Sequence, residues 1–445
     1  MTGSIAAYSR KAWRRLTAAD GGGFTVVQTI LSQILVVALN MATGVITARL
    51  LGPEGRGVFA AATVWPQFLS GACFVGIPAA IVYYIRHNQA ASGSIFMSGI
   101  LIAGLLCLVT TAIGLLVAPL TMHDYTPDAI VLAQYCVIAT IPYVYMALFR
   151  QVLIALGMFS VFNASSVLIP FIYFVALLLC WGTIGVTVVN SASTQIAAVV
   201  VIVAWMGWRL WPVAPPSFRE GGHWFRTLTL YGIRGAPADC LFTLGGYVDR
   251  LVLMSLVSAR DLGLYAVAYS LSRLMLVLQT AVSAVVFPKM AGRPAQGAKL
   301  LHDHAFRFIT YAAIGVILMS LMIGRAVLGL LYGQSFEEAG PVFDILILEA
   351  ALTCIAQLIA QLFYSLGHPG YTSLVQAGSF LTAGAGLLVL VPREGIIGAA
   401  FAMAIAAGVR LTLLLLGLGL RLKMSLPRVW PRRADMIYLR QQFLG

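Results

Sequence analysis

Long apolar runs follow one another along almost the whole of this 445-residue chain. About 20 apolar residues in an α-helix are enough to cross the ~30 Å hydrocarbon core of a bilayer, where every backbone group must find its partner inside the protein. Only 10% of the residues are charged, against about 25% in a typical soluble domain. The sequence therefore predicts an all-α polytopic membrane protein. The twelve predicted spans are 24–48, 57–85, 94–118, 129–156, 158–181, 184–208, 226–256, 262–288, 306–331, 341–366, 370–391 and 395–420.

Positive charge predicts the orientation of these spans, since Lys and Arg accumulate on the cytoplasmic side of membrane proteins. With the N-terminus inside, eighteen of the 28 Lys and Arg residues fall in cytoplasmic segments and four in outer turns. Both termini are therefore predicted to be cytoplasmic. The net charge of +13 is explained by basic segments that face anionic lipid, so no nucleic-acid partner is expected.

A glycine-rich turn after the first span has a faint copy in the second half of the chain. Gly52, Pro53 and Gly57 form the turn, and Gly57 corresponds to Gly263, which stands 206 positions later. Such a turn is expected to lie in water, because its backbone would have no partners in lipid. We interpret these four residues as structural, and the repetition indicates a chain built from two similar halves.

A second echo supports this division: Leu156-Gly157 and Leu366-Gly367 each end a predicted helix, at an offset of 210. Six spans in each half would make both halves enter the membrane in the same direction, so the repeat is predicted to be parallel. The predicted segments are a basic cytoplasmic N-terminus at 1–23, a six-helix lobe at 24–208, a cytoplasmic linker at 209–225, a six-helix lobe at 226–420 and a basic cytoplasmic tail at 421–445.

Charged residues inside the spans are expected to face a cavity, because charge in lipid is costly. Arginines outnumber carboxylates there, which predicts an electropositive cavity. A guanidinium group presents a flat fork of donors that matches phosphate oxygens, so an anionic cargo is expected. The residues predicted to bind it are Arg273, Arg234, Arg150 and Arg410, and the candidate coupling or protonation sites are Asp239 and Glu349.

Simpler roles stay open for several of these charges. Arg150 and Arg410 could reach the cytoplasmic interface, and Asp249-Arg250, near an outer helix end, could form a local pair or snorkel to water. Arg273 is harder to explain in this way, because it is predicted to lie roughly 16 Å deep in its span.

No catalytic, metal or cofactor site is expected from the sequence. The six cysteines stand singly in apolar runs and the histidines show no ligand spacing, so neither a metal site nor a disulfide is predicted. Because no nucleophile or pair of catalytic carboxylates is recognisable, the chain is not expected to be an enzyme.

Two stretches resemble a known family. The turn Arg49-Leu50-Leu51-Gly52-Pro53-Glu54-Gly55-Arg56-Gly57, and Asp249-Arg250 followed by Gly263-Leu264-Tyr265, are similar to motifs of Wzx-type polysaccharide-biosynthesis proteins. These are oligosaccharide flippases of the multidrug/oligosaccharidyl-lipid/polysaccharide exporter (MOP) superfamily. The resemblance covers most of the chain.

This resemblance implies a flippase for undecaprenyl-diphosphate-linked sugars in the bacterial inner membrane, which serves cell-surface or exopolysaccharide synthesis. It also implies the lipid bilayer as a partner, with a polysaccharide polymerase and chain-length machinery as further candidates. The main alternative is a cation-coupled drug or organic-ion antiporter of the same superfamily, against which the arginine excess argues. A membrane polysaccharide polymerase or ligase is disfavoured by the short outer turns.

Overall fold

The computed structural model describes residues 22–73, 76–290 and 295–427, and the side chains of residues 22–30, 234–239 and a few near 241 and 281–289 lie outside this description. Most of the predicted N-terminal segment and tail therefore lies outside it as well. Nearly all of the described chain is helical. The helices are α1 (Gly22–Cys73), α2 (Ile77–His87), α3 (Ser92–Thr121), α4 (Pro127–Ile138), α5 (Thr140–Ala155), α6 (Phe159–Thr183), α7 (Val188–Leu210), α8 (Gly221–Leu256), α9 (Ala259–Ser272), α10 (Leu274–Met290), α11 (Ala295–Tyr332), α12 (Gly340–Ser365) and α13 (Pro369–Leu420).

Within the described part of the chain, nine helical segments are long and apolar enough to cross a bilayer. With α8 they account for the twelve predicted spans, because α1 and α13 each join two spans across a kink. The kinks lie at Gly52 (φ 67°, ψ 179°) and Gly395 (φ 58°, ψ −133°). Such backbone angles are accessible to glycine and strained for any other residue.

Three predicted spans are interrupted where the sequence suggested one continuous helix. The span 57–85 is divided at Gly76, two residues before Pro78 in the first turn of α2. The span 129–156 is divided at Ala139, three residues before Pro142, because a proline ring clashes with the carbonyl one turn earlier. The span 262–288 is divided at Arg273, which lies between α9 and α10. The sequence has a proline close to two of these breaks, Pro78 and Pro142, and no proline or glycine close to Arg273.

Apolar side chains are exposed along the outward faces of the long helices. Leu108, Leu116 and Leu120 of α3 and Leu321 and Met322 of α11 are all largely exposed. A water-facing helix would carry polar residues at these positions, whereas lipid is as apolar as leucine. The exposed leucines are therefore the surface expected against hydrocarbon.

The chain divides into two compact units. Unit 1 comprises Met1–Leu51 and Val58–Tyr247, and unit 2 comprises Gly52–Gly57 and Val248–Gly445. Unit 1 packs around Ile81, Phe96 and Leu148, and unit 2 packs around residues that include Leu358 and Phe363. The boundary between the units falls inside α8, so the lobes at 24–208 and 226–420 and the linker at 209–225 remain predictions.

The second sequence echo corresponds to a shared local structure. Gly157 follows α5 with φ 73° and Gly367 follows α12 with φ 78°. In both places the glycine N–H donates to the carbonyl three residues earlier at 3.2 Å, and the next residue's N–H donates to the carbonyl five residues earlier at 2.9 Å. This is the Schellman arrangement that ends a helix on a left-handed glycine.

The glycine-rich turn around Gly57 and its copy around Gly263 contact each other inside unit 2. A Cβ on Gly57 would overlap the carbonyl oxygen of Ala259 at the start of α9, and a Cβ on Gly263 would lie 2.9 Å from the Gly57 nitrogen and overlap the Pro53 carbonyl oxygen. The two glycines therefore permit backbone-to-backbone contact. The structural role predicted for this turn has a physical basis here.

Gly57→Ala is expected to destabilise the protein by at least about 2 kcal/mol, because the new methyl group has no space and its neighbours are backbone atoms. The measurement is thermal unfolding of the purified protein in detergent. Gly315→Ala is the matched control: beyond its chain neighbours and the nearby backbone of its own helix, a methyl group added to this α11 glycine would meet no atom within 4 Å, so alanine should be neutral or stabilising there by up to about 1 kcal/mol. Equal effects of the two changes would contradict the close contact.

Candidate functional site

The polar residues of unit 2 form a connected network among otherwise apolar helices. The α9 residues Tyr265, Tyr269 and Arg273 are spaced four apart, so they project from one face of the helix. Glu349 and Thr353 repeat this spacing on α12. The polar network comprises Asp249 and Arg250 of α8, Tyr265 and Tyr269 of α9, Arg273 at the α9–α10 break, Glu349 and Thr353 of α12, and Arg410 of α13.

An ion pair between Arg273 and Glu349 lies at the centre of the network. Arg273 Nη2 donates to Glu349 Oε2 at 2.7 Å, and Nη1 lies 3.5 Å from Oε1. The Glu349 side chain is 5% exposed and that of Arg273 is 21% exposed. Charge-assisted contacts with both oxygens fix the relative orientation of the two groups, so the pair joins the end of α9 to the middle of α12.

Thr353 extends the pair to a second arginine. Its hydroxyl donates to Glu349 Oε1 at 2.8 Å and accepts from Arg410 Nη2 at 2.6 Å. A hydroxyl has one proton to donate, so both roles of Thr353 are engaged. Arg273, Glu349, Thr353 and Arg410 thus form one continuous chain of hydrogen bonds.

The other end of the network joins α8 to α9. Asp249 is 1% exposed, and its Oδ2 accepts a hydrogen bond from the Tyr265 hydroxyl at 2.9 Å. The guanidinium of Arg250 lies 4.9 Å above the ring of Tyr269, and that of Arg273 lies 4.1 Å from the same ring. Contacts with an aromatic face stabilise a desolvated cation, so Tyr269 interacts with two positive charges.

The network is deep in its helices and carries more positive than negative charge. Arg273 follows the start of α9 by 14 residues, which corresponds to about 21 Å of helix. Three arginines face two carboxylates, and the Nε atoms of Arg273 and Arg410 have no hydrogen-bond partner among the described residues. A buried guanidinium keeps its proton, so the network can accept further negative charge.

The structure brings together three of the predicted site residues, Arg273, Arg410 and Glu349. It places Arg150 in unit 1, where Nη2 donates to Ser166 Oγ at 2.8 Å and the guanidinium lies 4.6 Å from the Phe162 ring. The side chains of Arg234 and Asp239 lie outside the described residues, so their predicted roles remain predictions.

Some members of the network were missed by sequence reasoning. The expected local pair of Asp249 with Arg250 is present at 3.8 Å, but Asp249 is buried on Tyr265 and does not face water. The four-residue spacing of Tyr265, Tyr269 and Arg273 was a signal for a polar face on that helix. Thr353, one turn after Glu349, was the corresponding signal on α12.

Comparison with known proteins agrees with this fold. Residues 25–292, more than half of the chain, match the family described as polysaccharide biosynthesis protein. The chain belongs to this family. Over 168 residues it is 29% identical to a probable flippase, AglR, of Haloferax volcanii, and the match covers 36% of this chain and 35% of AglR.

Two solved structures share the architecture. The lipid II flippase MurJ in an inward closed conformation superposes with a TM-score of 0.74 at 13% identity, over 88% of this chain and 87% of MurJ. An inward-facing multidrug-resistance MATE family transporter of the MOP superfamily gives a TM-score of 0.68 at 15% identity, over 89% of this chain and 96% of the transporter. The chain is thus a multi-pass membrane protein that shares the fold of these two transport proteins.

Thr353→Val is expected to lower the free energy of unfolding by about 1–3 kcal/mol, because it removes a hydroxyl shared by two buried charged groups without changing the side chain's size. The measurement is unfolding in detergent. Thr412→Val is the matched control, since Thr412 of α13 is exposed and bonds only the Gly408 carbonyl in its own helix among the described contacts. A loss no larger than that of the control would contradict the bridging role.

Proposed function

We propose that this protein is a flippase that carries a polyprenyl-diphosphate-linked oligosaccharide across the bacterial inner membrane by alternating access. The observation that carries the proposal is the polar network, in which three partly buried arginines face two buried carboxylates. The diphosphate and the sugars of such a lipid must be shielded from hydrocarbon, while the polyprenyl tail can remain in lipid. A buried cationic site offers that shield to the diphosphate.

The chemistry of the arginines supports phosphate as the bound group. Arg410 donates to the neutral hydroxyl of Thr353, and its Nε has no partner among the described residues. Arginine forks match phosphate oxygens with two parallel hydrogen bonds and remain charged at any physiological pH. An organic cation would meet repulsion at the same place.

Further parts of the proposal extend beyond the network. Arg150 and Arg234 would line the path of the head group, and Asp239 and Glu349 would take part in coupling transport to an ion gradient. The flipped lipid would supply cell-surface or exopolysaccharide synthesis, with a polysaccharide polymerase and chain-length machinery as candidate partners. The transport step itself requires no covalent chemistry.

A cation-coupled antiporter is the second candidate function, and one observation favours it. The likeness to a MATE family transporter and the two buried carboxylates would suit a cation-coupled antiporter that exports drugs or organic ions. The two functions differ in the sign of the cargo. Because the network carries three guanidinium groups, it favours the anion.

Arg273→Gln and Arg410→Gln are each expected to reduce polymer export at least about tenfold at wild-type protein levels, because each removes a fork that would hold phosphate. Arg273→Lys should recover only part of the loss, since an ammonium keeps the charge and lacks the fork. The measurement is surface polymer made by cells that depend on each variant.

Arg260→Gln is the matched control. Arg260 forms a two-oxygen pair with Glu338 at 2.9 Å, but both side chains are more than half exposed, so export should be unchanged. Normal export by the Arg273 and Arg410 variants, with protein present in the membrane, would overturn the proposal.

A further inference from the structure

Glu349 occupies the edge of Arg273 that its two terminal nitrogens form, and this edge can also bind a phosphate. The carboxylate lies against both terminal nitrogens of the guanidinium, at 2.7 Å and 3.5 Å. Carboxylate and phosphate oxygens bind this fork in the same two-contact geometry. Both groups cannot hold this Nη1–Nη2 edge of Arg273 at once, so a phosphate that binds this edge has to displace Glu349.

The same carboxylate controls the second arginine through Thr353. The Thr353 proton points to Glu349 Oε1 at 2.8 Å, which leaves its lone pairs for Arg410 at 2.6 Å. If Glu349 leaves Arg273, the acceptor of that proton changes position, and the bond that holds Arg410 changes with it. Arg273 and Arg410 therefore change their hydrogen-bond partners together.

We propose that Glu349 is an internal counter-anion, which the phosphate of the cargo displaces from Arg273 and which expels that phosphate when it returns. This inference rests on the proposed function and names how the site exchanges its ligand. Binding and release are then two directions of one exchange, carboxylate for phosphate on a single guanidinium. A site of three arginines with no internal competitor would hold a diphosphate too tightly to let it go.

How strongly Glu349 and a phosphate compete for Arg273 depends on the net charge of the polar network. With both carboxylates ionised the network carries a net +1, and a diphosphate linked at both ends carries about two negative charges. Glu349, Arg273 and Cys354 lie close enough to Arg410 to interact with it electrostatically, and Asp249, Tyr265 and Tyr269 lie similarly close to Arg273. Removing the charge of Glu349 would bring the network to +2 and remove the competitor.

The test is the affinity of detergent-purified variants for farnesyl diphosphate, with farnesol as the uncharged comparison. Glu349→Gln keeps the size of the side chain and an oxygen for Thr353, and it should bind farnesyl diphosphate at least about tenfold more tightly than wild type. Its polymer export should fall, because release becomes slow. Glu338→Gln, the same change in the exposed pair with Arg260, should leave affinity and export unchanged.

The binding results distinguish a failure of the role inferred for Glu349 from a failure of the proposed flippase function. If Arg273→Gln loses binding and Glu349→Gln binds no more tightly than wild type, Glu349 is a structural partner only and the inference fails alone. If wild type binds farnesyl diphosphate no better than farnesol, the proposed function fails. Should Glu349→Gln be unstable, farnesyl diphosphate added during purification should restore it, because phosphate replaces the carboxylate; absence of this rescue contradicts the inference.

Discussion

The ion pair between Arg273 and Glu349 is the interaction on which the interior of unit 2 depends. Each charge alone would be costly among apolar helices, and at 2.7 Å each offsets the burial of the other. The pair also places a guanidinium at the break between α9 and α10, where a long helix would otherwise continue. Broken helices in transporters commonly line the ligand site, and the break here carries the central charge of the network.

The glycine contact at the start of α9 supports that arrangement. Gly263 packs backbone to backbone on Gly57, which fixes the position of α9 along its own axis. Tyr265 follows two residues later and begins the polar face that ends at Arg273. The contact made by this turn therefore also helps to determine where the polar side chains of α9 lie.

The sequence was sufficient for the fold class, because apolar runs of membrane length permit little besides helices. It also identified Arg273, Arg410 and Glu349 individually, since a charge within such a run is conspicuous. The sequence could not predict that Arg273 and Glu349 form an ion pair. The two residues are 76 positions apart, and only the packing of their helices brings them together. The break at Arg273 was missed for a related reason: no proline or glycine marks it, and an unbroken apolar run does not reveal a change of helix direction. Asp249 looked exposed because it stands near a helix end, and its burial comes from Tyr265 on another helix.

If unit 2 presents a cationic site that selects an anionic head group, transport must depend on the charge of the cargo, and this charge dependence is the most direct measurement. Purified protein in vesicles would be given two fluorescent polyprenyl sugars, one linked through a diphosphate and one through an uncharged glycosidic bond. We expect the diphosphate-linked lipid to cross at least about tenfold faster than in protein-free vesicles, and the uncharged lipid to cross no faster than in protein-free vesicles. Equal acceleration of both lipids, or transport of an organic cation in place of either, would contradict this expectation.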